Sequence, residues 1–316
     1  MSLKTIGIIG PAGFGGSYLA VELIRRGHSV IGFSRRPESF GTHPNYTPKP
    51  LDVENDSIHE LIKAFSGLEV LVSQYGPHTQ GADALQYISL TPSIAVPYVE
   101  TVRRLIIAVK EAKVKYFVFV GGAGSLHVPG SLDCLTDYPG FFLAYRRQLA
   151  DSDAHVHYME ERLGPMGEAL RSYRNARLAV KAGKATAAEL QTIQTYEDAV
   201  RSNDRATSFI KAGRASLLFF EGNTSFPWTF VSPSPLYRPG KRTGKYEITI
   251  DYVPLKGTPS EEGILDGRLT GISVSDLSIA IADEIENQNL KYKHWTAIGD
   301  LSDDNAYPSY ITAADI

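Results

Sequence analysis

A single cysteine, Cys134, in 316 residues leaves no partner for an intramolecular disulfide. That usage fits a reducing compartment. No apolar run reaches the roughly 18 residues of a membrane span, and the first residues enter a strand pattern without a signal-type segment. A cytoplasmic location without membrane attachment is the expectation. No block of like charges occurs, and 32 Lys and Arg against 35 Asp and Glu give a formal net charge of -3. Nothing in that balance calls for nucleic acid. Internal repeats and low-complexity linkers are also missing. His155, His157 and Glu161 could lie near each other on a helix, but the sequence suggests no further ligand to complete a set, so a surface cluster and no metal site is expected. Cys134 has no adjacent histidine to activate it, so a reactive thiol is not expected.

What is present begins at Lys4–Pro37, which reads as strand, glycine-rich turn, helix and second strand. Thr5–Ile9 is apolar, as in a parallel strand covered on both faces. Gly10, Gly13 and Gly16 follow three apart, suiting a tight turn, close approach of a phosphate and helix-on-strand packing. A helix over Phe14–Arg26 would turn its unpaired amides towards that phosphate. The second strand ends in Ser34-Arg35-Arg36 instead of the acidic residue that accepts from an NAD ribose. Two guanidinium groups suit the additional phosphate of NADP.

Further along, Gly41–Pro50 reads as a polar loop. Leu51-Asp52-Val53 precedes a helix over 55–66 capped by Asn55 or Asp56, and Asp52 and Val53 are expected beside an adenine, with a turn-capping role for Asp52 weighed equally. The strand Glu69–Ser73 runs into Gln74-Tyr75-Gly76-Pro77-His78, a loop expected to face the cofactor, and Thr79–Pro92 is long enough to reach a substrate pocket. A third helix is predicted from Pro97 to Ala112. The strand Lys115–Val120 closes in Gly121-Gly122-Ala123-Gly124-Ser125, whose small residues allow a ligand near and whose Ser125 hydroxyl would point into the cleft. Residues 141–213, rich in Ala, Glu, Arg and Leu, predict a helical insertion of three helices divided at Pro165 and Gly183. Trp228–Val231 is a strand ending at Ser232-Pro233, Ser273 or Ser275 caps a last helix, and Trp295–Ile298 is a last strand.

These pieces together resemble an atypical short-chain dehydrogenase/reductase of the NmrA-like, NAD(P)H-binding kind. The likeness rests on Gly10-Pro-Ala-Gly13-Phe-Gly-Gly16, Ser34-Arg35-Arg36, Val120-Gly-Gly-Ala-Gly-Ser125-Leu126, Trp228-Thr-Phe-Val-Ser-Pro233 and Pro239-Gly-Lys-Arg-Thr-Gly-Lys-Tyr246. It implies one Rossmann-type α/β domain over 1–316 with a doubly wound parallel sheet. The block at 141–213 would be a cap, and 233–272 a small C-terminal substrate-pocket segment. NADP(H) contacts are expected at Gly10, Ala12, Gly13, Phe14, Gly15, Ser34, Arg35, Arg36, Asp52, Val53, Tyr75, Gly76, Pro77, Gly121, Gly122, Ala123 and Pro233. The Tyr-x3-Lys pair of the wider family has no convincing counterpart. Tyr237 with Lys241 and Tyr252 with Lys256 enclose prolines, while Tyr158 with Arg162 and Tyr173 with Arg177 carry an arginine that cannot give up its proton.

The leading expectation is an NADPH-dependent reductase of a small, largely apolar carbonyl or conjugated substrate, with Ser125, Tyr138 and Tyr145 as catalytic candidates. A cofactor-bound isomerase or cyclase of specialised metabolism and a cofactor-sensing regulator are the alternatives. The substrate and the oligomeric state are not legible.

Overall fold

The computed structural model describes residues 2–76, 92–202, 204–259 and 263–316. Its frame is an eight-stranded sheet in the order β3-β2-β1-β4-β5-β6-β10-β8. The strands are β1 (Thr5–Ile9), β2 (Ser29–Ser34), β3 (Tyr46–Pro50), β4 (Val70–Ser73), β5 (Tyr116–Val120), β6 (Trp228–Val231), β8 (Tyr246–Ile250) and β10 (His294–Gly299). All neighbours pair in parallel except β10 and β8. A small parallel pair, β7 (Leu236–Arg238) with β9 (Gly271–Ser273), stands apart. The doubly wound α/β fold expected from the sequence is the one observed.

Helices cover both faces. On one, α1 (Phe14–Arg25) and α9 (Val274–Asn287) pack Leu19, Leu23, Leu277 and Ile281 onto Ile6, Val72 and Trp295. On the other lie α2 (Ile58–Phe65), α3 (Pro92–Glu111) and α8 (Asp204–Leu217), where Leu61, Val102, Leu105 and Leu217 meet Leu71, Phe117 and Phe230. Continuous apolar strands result because each strand is covered twice. Glu22, almost fully buried, fixes α1 against its surroundings: it accepts from Arg26 at 2.9 Å and Arg242 at 3.0 Å, and Arg26 reaches on to Asp283 and Glu286 of α9.

Several expectations are corrected. The loop at 41–50 contains β3, an edge strand in which Pro48 and Pro50 cost nothing because one side of an edge needs no amide. Ser57, not Asn55 or Asp56, caps α2 through a reciprocal capping box with Glu60, since Asn55 and Asp56 are already bonded to the Asp52 turn. Helix α3 begins at Pro92 and carries Pro97 inside it. The predicted pocket loop and Pro77 lie outside the described residues. The helical block divides further than predicted, into α4 (Phe141–Asp151), α5 (Asp153–Leu163), α6 (Pro165–Lys181) and α7 (Ala187–Ser202), before α8 returns to the sheet. One extra break falls at Ser152, which caps α5, and another separates α7 from α8. Asp304 completes that cap from far along the chain, accepting from Ser152 Oγ and from the amides of Asp153 (3.0 Å) and Ala154 (3.1 Å). Ser273 caps α9.

Of the expected surface cluster, only His157 and Glu161 behave so, pairing at 3.5 Å. His155 is 3% exposed, and neither ring nitrogen has a hydrogen-bond partner among the described residues. Burial, aided by the charge of Arg238, lowers its pKa to about 3. The folded protein therefore refuses a proton that the unfolded chain accepts near 6.5, and stability is lost as pH falls from about 6.5 towards 3 at up to roughly 1.4 kcal/mol per pH unit. Acid titration followed by circular dichroism should show His155→Phe losing less stability than the wild type across that window; parallel curves would remove His155 from the account.

Candidate functional site

In an open parallel sheet the ligand crevice lies beyond the carboxyl ends of the strands, where strand order reverses. Here that point is between β1 and β4. The turn after β1 is closed by Gly13 N donating to Gly10 O at 3.1 Å, with Gly10 at φ +81°. A Cβ on Gly16 would sit inside the contact radius of Gly10 O, so no side chain fits where α1 presses on the turn. Gly13 caps α1 with no side-chain hydrogen bond. The first-turn amides therefore face the crevice, and the dipole adds a partial positive charge. A Cβ on Gly15 would meet Gln74 Oε1 at 2.7 Å and Tyr237 Oη at 3.2 Å, whereas one on Gly76 or Gly122 would meet nothing within 4 Å. The carboxyl ends of β4 and β5 are thus open beside the glycine turn. This cradle and its donors fit a diphosphate.

Arg35 and Arg36 are exposed at the end of β2, and Ser34 Oγ accepts from the Arg36 amide at 3.3 Å. Neither guanidinium has a side-chain hydrogen bond to a described residue. Asp52 takes the turn-capping part: it accepts from the amides of Glu54 (3.1 Å) and Asn55 (3.3 Å) and from Asn55 Nδ2 (3.0 Å). Burial raises its pKa, but those bonds and the nearby charge of Arg35 outweigh it and leave it lowered. Val53 is buried. Tyr75 stacks on Tyr98 at 5.4 Å and donates to Glu54 at 2.6 Å, walling the crevice beside β4. Gly121 is packed under the ring of Phe230 and Pro233 is buried; Ala12, Gly122 and Ala123 are half-buried.

The catalytic candidates separate. Ser125 is 1% exposed, its turn held by its amide donating to Gly122 O and α8 lying against it. Tyr138 opens on a cleft of about 420 Å³ with Leu143, Ala144, Arg147 and Ile264. Tyr145 stacks on Phe141 at 5.9 Å and lies within electrostatic reach of Tyr158 and Arg162. Phe141 and Trp228 are buried in the core. Cys134 is buried, but a hairpin brings His127 Nδ1 to 3.8 Å from its sulfur, a neighbour that adjacency in sequence does not reveal.

Two tyrosines outside the catalytic candidates stand at the glycine turn. Phe14 packs against Tyr158 of α5 at 4.8 Å and Tyr237 of β7 at 4.9 Å. Arg162 donates to the Tyr158 hydroxyl at 2.6 Å. Burial pushes the Tyr158 phenol up to about 12 although Arg162 pulls it down, and burial also raises Tyr237. The Tyr158-x3-Arg162 spacing is visible in the sequence; its location over Phe14 depends on how the inserted helices fold back. Tyr237 stands out in the sequence only through its spacing from Lys241; its approach to Gly15 follows from the placement of β7 beside the glycine turn.

Residues 10–161 match the model of an NAD(P)H-binding family, a match that ends within α5. None of the curated proteins matches. Among solved structures, the chain is similar to a candidate exported protein of Burkholderia pseudomallei, with 24% identity over 94% of this chain and 100% of that one and a TM-score of 0.58. A candidate epimerase of Bacteroides thetaiotaomicron is 23% identical over 94% and 97%, with a TM-score of 0.59. A candidate NADH-flavin reductase of Streptococcus pneumoniae is 17% identical over 94% and 100%, with a TM-score of 0.58. At these identities the likeness is one of fold. Among the described residues no helix is long and apolar enough to cross a membrane, and no cluster of three metal-ligating side chains occurs.

The two glycines separate fold from binding. Gly16→Ala meets backbone and should lower the melting temperature markedly, by an amount matching the 1–3 kcal/mol or so of overpacking. Gly15→Ala meets only the movable end of Gln74 and Tyr237, so it should melt near the wild type while weakening nucleotide binding in a fluorescence titration. Equal melting losses for both would contradict this division.

Proposed function

We propose that the protein is an NADPH-dependent oxidoreductase that reduces a small, largely apolar carbonyl or conjugated compound. The observation that carries the reading is the uncapped amino end of α1 in its glycine cradle, with the Arg35 and Arg36 guanidinium groups standing exposed at the end of the adjoining strand. First-turn amides at Phe14, Gly15 and Gly16 would hold a diphosphate, while Arg35 and Arg36 would grip the extra phosphate of the adenosine ribose. Bound there, the nicotinamide supplies a hydride.

The chain's own contribution is orientation, exclusion of water and a proton. Phe14, Tyr158 and Tyr237 form an aromatic wall over the turn, suited to a flat apolar substrate. The phenols of Tyr158 and Tyr237, raised by burial, stay protonated at neutral pH and are the donors this geometry favours over Tyr138; Tyr145 lies within electrostatic reach of Tyr158. The helices of 141–213 act as a cap, α5 being the part that meets the turn.

One observation favours a second reading. A phenol whose pKa lies above its ordinary value is a sluggish acid, so a non-redox isomerisation or a nucleotide-sensing role fits the same cleft. Absorbance at the reduced-nicotinamide band with a panel of ketones and enones separates these: turnover supports the reductase, and tight NADPH binding without turnover of any supports the alternative.

Reversal of both arginines, Arg35→Glu with Arg36→Glu, should weaken NADPH by roughly tenfold or more and leave NADH almost unchanged in calorimetric titration. Equal losses for both nucleotides would refute the assigned phosphate grip. Tyr158→Phe should retain NADPH affinity within a few-fold while slowing turnover; unchanged turnover would remove Tyr158 as a donor.

A further inference from the structure

The two edges of the main sheet are treated differently by the sequence. Edge β3 is Tyr-Thr-Pro-Lys-Pro, whose prolines and lysine blunt it against further strands. Edge β8 has neither device over Tyr246–Ile250, and it exposes Ile248 (40%) and Ile250 (38%). Its free groups can be identified. Asp251 N donates to His294 O at 3.0 Å, and the antiparallel register runs Ile250 with Trp295 to Tyr246 with Gly299. Alternation therefore turns the backbone of Glu247 and Thr249 and the amide of Asp251 towards β10, and the backbone of Tyr246, Ile248 and Ile250 outward, where the Ile250 carbonyl already accepts from Tyr252 N at 2.7 Å; the Asp251 carbonyl accepts from His127 N at 2.8 Å. Among the described residues no strand pairs with that outer side.

We propose that this edge pairs with the same edge of a second copy of the chain, antiparallel about a twofold axis at Ile248. The register is self-complementary. With Ile248 opposite its own counterpart, Tyr246 faces Ile250 of the second copy, and all the residues so paired are those whose amides and carbonyls point outward. Their side chains share one face, so the exposed isoleucines of both copies meet beside the two α9 helices, to which Tyr246 is already tied through Asp283. On the other face, Lys245 falls opposite Asp251 of the second copy, a half-exposed carboxylate that also lies 3.3 Å from His294 Nδ1 of its own chain, and Glu247 falls opposite Thr249. No like charges are directly opposed, and opposite charges at facing positions attract. Glu247 meets its own counterpart only diagonally. The result is one sheet continuous through two copies, an isologous contact in which every pairing occurs twice.

Sedimentation analysis of the full chain tests this. The wild type should have twice the chain mass. Ile248→Pro removes an amide that points away from β10, so it should halve the mass while far-UV and near-UV spectra stay as in the wild type; Ile248→Lys serves if the proline variant does not fold. Lys245→Asp sets acid against acid at two symmetric places and should raise the dissociation constant by roughly tenfold, while Glu247→Gln should lower it. A wild type that is monomeric throughout, or a dimer indifferent to the Ile248 variants, would overturn the proposal.

Discussion

Backbone lies directly on backbone where α1 crosses the turn after β1. Gly16 must lack a side chain so that the helix can approach Gly10 O, and that approach fixes both the direction of the helix and the place where its unbonded amides emerge. The rest of the frame keeps this contact in position. Glu22, Arg26 and Arg242 fasten α1 to α9 and to the chain after β7, and the apolar face of α1 is buried against β1, β4 and Trp295. A charged network of this kind tolerates loss of a partner poorly, because the remaining carboxylate would be left buried.

The block after β5 is a second layer of organisation. It has its own apolar cluster, centred on Leu149, Val156, Tyr158, Leu170 and Tyr173, and Glu197 of α7 binds it together by accepting from Arg147 and Tyr173 at 3.0 and 2.8 Å. Among the described residues it meets the sheet frame at several places, Gln148 of α4 exchanging hydrogen bonds with Leu269 among them, and two of these places bear on α1. One is the aromatic contact of Tyr158 with Phe14; the other is the segment after β10, where Asp304 caps α5 and Ser309 donates to Glu161. Ile311 N meets Ser17 Oγ at 3.4 Å on α1, so the same segment touches both the block and the helix of the glycine turn.

Local signals carried most of the fold. The apolar runs at Thr5–Ile9 and Tyr116–Val120 could only be covered strands, and glycines three apart between a strand and a helix marked the turn. The signal for α2 was also present as Ser57-x-x-Glu60, but Asn55 and Asp56 competed for the cap until the structure assigned them to the Asp52 turn. What escaped was set by distant partners. Strand β3 reads as a loop because its prolines are allowed only by its place at the sheet margin. The break between α4 and α5 depends on Asp304, which no window around Ser152 contains. For the candidate site, the glycine turn and the arginines at the end of β2 were legible at once, whereas the aromatic wall at the turn was not: Tyr237 and Tyr158 reach Phe14 only through long returns of the chain. Ser125, read as facing the cleft, is enclosed because α8 packs against its turn, Ile210 approaching Gly124.

Phe14 belongs at once to the floor of the crevice and to its roof, being the first residue of α1 and a ring partner of α5. Any occupant that shifts this ring to make room on one side changes the fit on the other. Thermodynamic linkage then requires the favour or penalty to be mutual: what the first guest gains from the ring's position, the second gains equally. Order of entry is immaterial to the final balance, as for any equilibrium, and what the shared ring adds is that each guest's tightness would depend on the other's presence.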